Sequence, residues 1–246
     1  MIVKNRLLNF KNMYIYQDTD YFKMSLDSLL LANFVTLNLR DKNILDIATG
    51  NAPIPMLLTY KTKAKIYGIE IQKEIYDLGV KSIIQNSMDK QIEIINEDAK
   101  NACNLFSDDY FDVITCNPPY FSTSNELFEN DNLIKATARH EKFLNINDVF
   151  VISKRLLKTN GRLAIVHRTE RFIEIVDMAR KYGFSIKKVR FVYPKMGKNS
   201  DLVLIECTKN GKNGLKLLSP LFVYNEDGHY NSEIKMMFGD DTNDTK

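Results

Sequence analysis

The chain of 246 residues has no tryptophan and only three cysteines. Cys103, Cys116 and Cys207 stand far apart with no CxxC pair, which argues against a disulfide framework and against a zinc site. A reducing cytoplasm is the expected setting. No run of 18 uncharged apolar residues occurs, so no membrane-spanning helix is expected. Residues 1–11 carry Lys4, Arg6 and Lys11 without an apolar h-region, so no secretory signal is expected either. Two nucleotide-binding patterns are also missing. Without GxGxxG a nicotinamide cofactor is disfavoured, and without GxxxxGK[ST] so are ATP and GTP. What is present is the balance of a globular protein, 44% apolar and 26% charged, which excludes disorder as the main state.

The net charge is only +3, but its placement is uneven. Residues 101–150 sum to −5, whereas residues 151–200 sum to +10, from 13 Lys/Arg against 3 Asp/Glu. A basic block beside an acidic one suggests a face that meets a polyanion, with solvated helix surface as the plainer explanation.

Apolar runs read as strands at 43–47, 65–71, 92–95, 111–116, 162–167, 186–193 and 202–208. Helical spacing appears between them at 55–61, 72–88, 146–158 and 169–182. Such alternation predicts an α/β fold, a mostly parallel seven-stranded sheet with helices on both faces and an antiparallel edge hairpin. A further helix is expected over 25–37, with Leu26, Leu29, Leu30 and Phe34 on its apolar face. We expect one domain, with a helical addition over 1–40, a Rossmann-like core over 41–208 and an irregular elaboration over 209–246. The last eight residues, Gly239 to Lys246, are polar and expected to fray.

The first core strand leads into Asp46-Ile-Ala-Thr-Gly-Asn-Ala-Pro53, a turn of the kind where ligands approach backbone in open α/β sheets. Glu70 ends the second strand and Asp98 follows the third. A carboxylate at Glu70 suits the two hydroxyls of a ribose. Taken in this order, the acids favour an adenosine-containing cofactor without phosphates, such as S-adenosylmethionine. After the fourth strand stands Asn117-Pro118-Pro119-Tyr120. The prolines leave few conformations and fix the Asn117 side chain and the Pro118 carbonyl rigidly. Those two oxygens can hold the N–H groups of an exocyclic amine, whose lone pair is otherwise delocalised into its ring. Tyr120 can stack on a base swung out of its helix or loop. A rigid turn with a buried tyrosine is the plain alternative.

The order Asp46/Gly50, Glu70, Asp98, Asn-Pro-Pro-Tyr resembles the class I S-adenosylmethionine-dependent methyltransferases that modify amino groups. More narrowly, the chain is similar to the bacterial tRNA(Val) adenine-N6-methyltransferases, which act on the adenosine beside the anticodon. That likeness also involves residues 22–32, 68–72, 138–141, 166–168, 202–206, 220–224 and 227–230. It implies a Rossmann-like class I methyltransferase fold, S-adenosyl-L-methionine as cofactor and tRNA as partner; no metal and no membrane are expected from the cysteine spacing and the lack of a long apolar run. It implies a catalytic set of Asn117, Pro118, Pro119 and Tyr120. The cofactor set it implies is Phe22, Asp46, Thr49, Gly50, Glu70, Ile71, Asp98, Ala99 and Asn117. Ala48 and Ala52 depart from the family, which usually has glycine there; each methyl crowds the loop or resists a positive φ.

Residues 122–140 read as a substrate loop. Phe121 just before it, and Arg139 and His140 within it, are candidate RNA contacts, with Arg168, Arg171, Lys187, Lys188, Arg190, Lys195 and Lys198 as phosphate contacts from the basic block. Alternative readings are a DNA adenine-N6 or protein glutamine-N5 methyltransferase, which share the Asn-Pro-Pro-Tyr motif. A non-catalytic RNA-binding protein with an impaired cofactor loop is the alternative from another class.

Overall fold

A computed structural model describes residues 1–7, 13–18, 26–118 and 144–239. It opens with a feature the sequence did not announce. β1 (Ile2–Arg6) and β2 (Tyr14–Asp18) pair antiparallel as a separate two-stranded sheet, so the N-terminal addition is more than helical. The expected helix follows as α1 (Leu26–Phe34), buried along most of its length.

The core alternates strand and helix. β3 (Asn43–Ile47), α2 (Pro53–Leu58), β4 (Lys65–Glu70), α3 (Lys73–Gln85), β5 (Ile92–Asn96), α4 (Ala102–Leu105) and β6 (Phe111–Cys116) come first. Next are α5 (Ile146–Leu156), β7 (Leu157–Arg168), α6 (Phe172–Lys181), β8 (Phe184–Tyr193) and β9 (Leu202–Lys209). Asn145 and Asp148 cap α5 reciprocally, each side chain accepting the other's backbone N–H at 3.0 and 3.1 Å. The order across the sheet is β8-β9-β7-β6-β3-β4-β5. β9 runs antiparallel to β7 and β8, while β3 to β7 pair in parallel.

Three details differ from expectation. The sheet has nine strands, because β10 (Lys216–Leu217) and β11 (Leu221–Phe222) pair in parallel along β8. The hairpin is inserted so that its second strand, β9, is interior. The C-terminal segment also contains α7 (Ser232–Phe238), capped by Asn231, which accepts from Glu233 N–H at 2.7 Å, and ended by Gly239 at φ 84°.

Strand alternation sorts the core into two layers. Ile44, Ile66, Ile94 and Val113 face α1, α2, α3 and α7. Leu45, Ile47, Ile69, Ile114 and Cys116 face α4, α5 and α6. All three cysteines are free, Cys116 and Cys207 buried. Because β3, β4, β5, β6 and β7 are parallel, their carboxyl ends share one edge of the sheet, where open α/β folds bind ligands.

Candidate active site

The turn after β3 is held from below and open above. Asp46 is buried, and each of its oxygens accepts a hydroxyl, from Thr49 at 2.7 Å and Thr115 at 2.6 Å. Burial pushes its pKa up to about 7, the two hydroxyl donors opposing the rise. Asp46 therefore braces the turn rather than facing outward from it. Thr49 N–H donates to the Ile69 carbonyl at 2.9 Å, extending the β3–β4 pairing by one bond. A methyl at Gly68 would stand 2.8 Å from Thr49 Cγ2 and 2.6 Å from Ile94 Cγ2, so glycine there lets Thr49 close over β4. Gly50 sits at φ +59° with open space where a side chain would be.

Glu70, at the end of β4, ties this turn to the next. Its Oε2 accepts Gly50 N–H at 2.9 Å and its Oε1 accepts Gln72 N–H at 2.9 Å. Burial raises its pKa, opposed by those backbone donors. Its carboxylate stands at the carboxyl end of β4, the position a ribose-binding acid takes in open α/β sheets. Ile71 beside it is 37% exposed, an apolar surface at the rim. Asp98 caps the short turn Ala99–Asn101, accepting Lys100 N–H at 2.9 Å, and Ala99 is buried.

Ala48 and Ala52 both adopt positive φ, 56° and 67°. The backbone therefore keeps the conformation that glycine favours and carries two methyls through it, at a cost on the order of 1–2 kcal/mol each. Ala52 is fully buried, so its methyl returns part of that cost as packing.

Asn117 and Pro118 follow β6, and Cys116 is registered against Ile47 of β3. This places the Asn117 position beside the turn that leads to Gly50. Asn117 Nδ2 donates to Ser28 Oγ of α1 at 3.2 Å, and Ser28 is buried. With the amide nitrogen engaged, Oδ1 is left as the acceptor. An acceptor pair beside an open, carboxylate-edged turn can hold an amine against an adenosine-type group.

The family model described as "Methyltransferase domain" matches residues 38–189, from just before β3 into β8. The chain belongs to this methyltransferase family. A tRNA1(Val) (adenine(37)-N6)-methyltransferase from Phocaeicola vulgatus is 26% identical over 201 residues, covering 82% of this chain and 83% of its own. A relative of the same name from Tolumonas auensis is 28% identical over 198 residues, covering 80% of each chain. Among solved structures, a predicted O-methyltransferase from Agrobacterium tumefaciens shares the fold with a TM-score of 0.69 at 17% identity, covering 87% of this chain and 96% of that one.

The basic block of the methyltransferase is largely occupied with its own fold. Lys188 Nζ donates to the Phe34 carbonyl at 2.6 Å and Thr36 Oγ1 at 2.7 Å, and lies 3.5 Å from Glu206. Arg190 forms a two-pronged pair with Glu233 of α7 at 2.5 and 2.8 Å. Lys187 Nζ donates to the Lys212 carbonyl. These three, expected on phosphates, join α1 and the C-terminal segment to β8 through partners remote in sequence. Arg171 pairs with Glu174 at 2.6 Å. Arg168 lies near Asp27, whose pKa burial raises to about 6 against the pull of that cation. Lys195 and Lys198 stand exposed beyond β8. Phe22, Pro119, Tyr120, Phe121, Arg139 and His140, with the rest of the 122–140 loop, lie outside the described residues.

Sequence reasoning missed Ser28 and Thr115. Ser28 lay in plain view inside the 22–32 likeness, but nothing in sequence links it to a residue 89 positions away.

Proposed function

We propose that this methyltransferase transfers a methyl group from S-adenosylmethionine to N6 of an adenine in tRNA, at the adenosine beside the anticodon of tRNA(Val). The likeness over four-fifths of the chain to relatives bearing that activity in their names carries the substrate. The chemistry rests on Asn117 and Pro118 standing beside the Gly50 turn.

The residues present fit the cofactor. The open face of Gly50 admits a group against backbone, Glu70 offers acceptors to a ribose, and Ile71, Asp98 and Ala99 line the way to an adenine. Thr49 and Asp46 hold the turn in shape. When bound, S-adenosylmethionine supplies an electrophilic methyl on a sulfonium sulfur. Asn117 Oδ1 and the Pro118 carbonyl each accept one N–H of the target amine. That draws the nitrogen away from planarity and aims its lone pair, a gain of position and electrostatics rather than of base catalysis. Tyr120 takes the face of the extruded base in this reading. The reaction belongs to the cytoplasm, where its tRNA is.

The test is a substrate panel. Protein with labelled S-adenosylmethionine is given unmodified bacterial tRNA, duplex DNA or a release factor. Label should enter tRNA and be recovered as N6-methyladenosine. Label in DNA or in the release factor instead would overturn the substrate, and label in none of the three would overturn the activity.

A further inference from the structure

At the same edge of the sheet as Asn117, but at the far side of the β8–β9 pair, lies a second recess. Its volume is about 470 Å³, within the range of small-ligand sites, and Pro194, Lys195, Lys198, Asn199, Asp201 and Tyr224 line it. The registers fix its relation to the active site. Cys116 pairs with Ile165 of β7, Arg168 of β7 pairs with Leu202 of β9, and Leu202 pairs with Val192 of β8. Three strand spacings separate β6 from β8, a lateral offset of about 14 Å, and the recess also lies about four residues, roughly 13 Å, further along the strand direction than Asn117.

Its chemistry is that of a nucleotide. Tyr224 is 39% exposed, and its ring stacks on Tyr230 with centroids 5.1 Å apart and planes 14° from parallel. Tyr230 in turn packs on Phe238 of α7 at 5.2 Å, so the platform is backed by aromatic packing. Lys195 and Lys198 are exposed and have no ion pair among the described residues, in contrast to Lys188 and Arg190. Asn199 and Asp201 add acceptors, and Asn199 also a donor, of the kind that read a base edge. The Asp201 carboxylate disfavours a bare anion, but it suits a base bearing an exocyclic amine, such as cytosine or adenine.

We propose that this recess binds an unpaired nucleotide of the tRNA substrate near the target adenosine. The base stacks on Tyr224, its amine meets Asp201, and its phosphate lies toward Lys195 and Lys198. The inference rests on the tRNA reading above and extends it to a second contact. Unpaired loop bases are what proteins take on aromatic faces when they read RNA. Holding one nucleotide here while another reaches Asn117 fixes which adenosine of the loop is presented.

The experiment measures binding of an unmodified anticodon stem-loop RNA to the full chain, beside methylation of whole tRNA. Tyr224→Ala should weaken RNA binding about tenfold, while Tyr224→Phe, which keeps the ring, should lose much less. Lys195→Ala with Lys198→Ala should lower the slope of log affinity against log salt by about 0.7 for each lysine removed. Binding of S-adenosylmethionine and the melting temperature report whether each variant is folded. Wild-type affinity and salt slope in both folded variants, with wild-type protein methylating tRNA, would overturn the recess and leave the function standing. Wild-type protein that methylates no tRNA would overturn the functional reading and this one with it.

Discussion

Asn117 Nδ2 donates to Ser28 Oγ, so in the proposed reaction Ser28 decides which end of the amide faces the substrate. Ser28→Ala should lower kcat about tenfold, the worth of roughly one hydrogen bond, with the KM for tRNA and the melting temperature nearly unchanged. A kcat equal to wild type would deny Ser28 this positioning role. Asp46 allows a second test. Its pKa of about 7 in the folded protein lies above the usual carboxylate value, so the folded state holds a proton that the unfolded chain has released. Its contribution therefore improves as pH falls from about 8 to 6, by about 1 kcal/mol. His167, pushed down to about 4 by burial and by Arg171 and Arg168, works in the opposite direction below its ordinary value. Comparing wild type with Asp46→Asn cancels that term. On going from pH 8 to pH 6 the wild type should gain about 1 kcal/mol relative to the variant, read by thermal or urea unfolding. Identical pH responses would contradict the buried, proton-holding Asp46.

Elements were legible in the sequence where burial is two-sided. β3 and β6 fall on their expected residues because parallel core strands are near-continuous apolar runs. The β1–β2 hairpin was hidden because IVKNR and YIYQD are short, mixed and partly exposed. α7 was hidden in a polar tail, although Asn231 and Gly239 bracket it with the signals of a start and a stop. The end of α1 shows what sequence could not give. Lys61 Nζ donates to the Ala32 carbonyl at 2.7 Å, and Lys188 to that of Phe34, so two remote lysines cap the carbonyls that the helix leaves unpaired. Glu206 Oε2 accepts Thr36 N–H at 2.6 Å and completes the joint. Lys188→Met leaves the buried Glu206 without its cation and should cost about 3 kcal/mol in unfolding experiments. Adding Glu206→Gln should recover part of that loss. If Lys188→Met instead leaves stability intact and weakens RNA binding with a shallower salt dependence, the lysine belongs on a phosphate after all.

Across the whole molecule, part of the basic block of the sequence is taken up by ion pairs between elements. Lys158, Arg162 and Lys188 pair with Asp112, Asp41 and Glu206 within the core, and Arg190 pairs with Glu233, fastening the C-terminal addition to the sheet. A sum along the sequence counts such cations as free, because their partners lie 18 to 121 residues away in other elements or on the adjacent strand. Glu70, Asp98 and Gly50 fall where the sequence places them relative to the strands, because the first three core strands follow one another directly. In the proposed reading the site is a line along one sheet edge, from Glu70 through Gly50 to Asn117 and on past Arg168 to the recess beyond β8. The most direct test of this arrangement is to assay wild type and Asn117→Ala side by side for methyl transfer into unmodified tRNA, while measuring S-adenosylmethionine binding to both. The account predicts N6-methyladenosine from wild type, at least a hundredfold less from the variant on the order expected for a positioned transition-state acceptor, and similar cofactor affinity. An Asn117→Ala protein that methylates tRNA at the wild-type rate would contradict it.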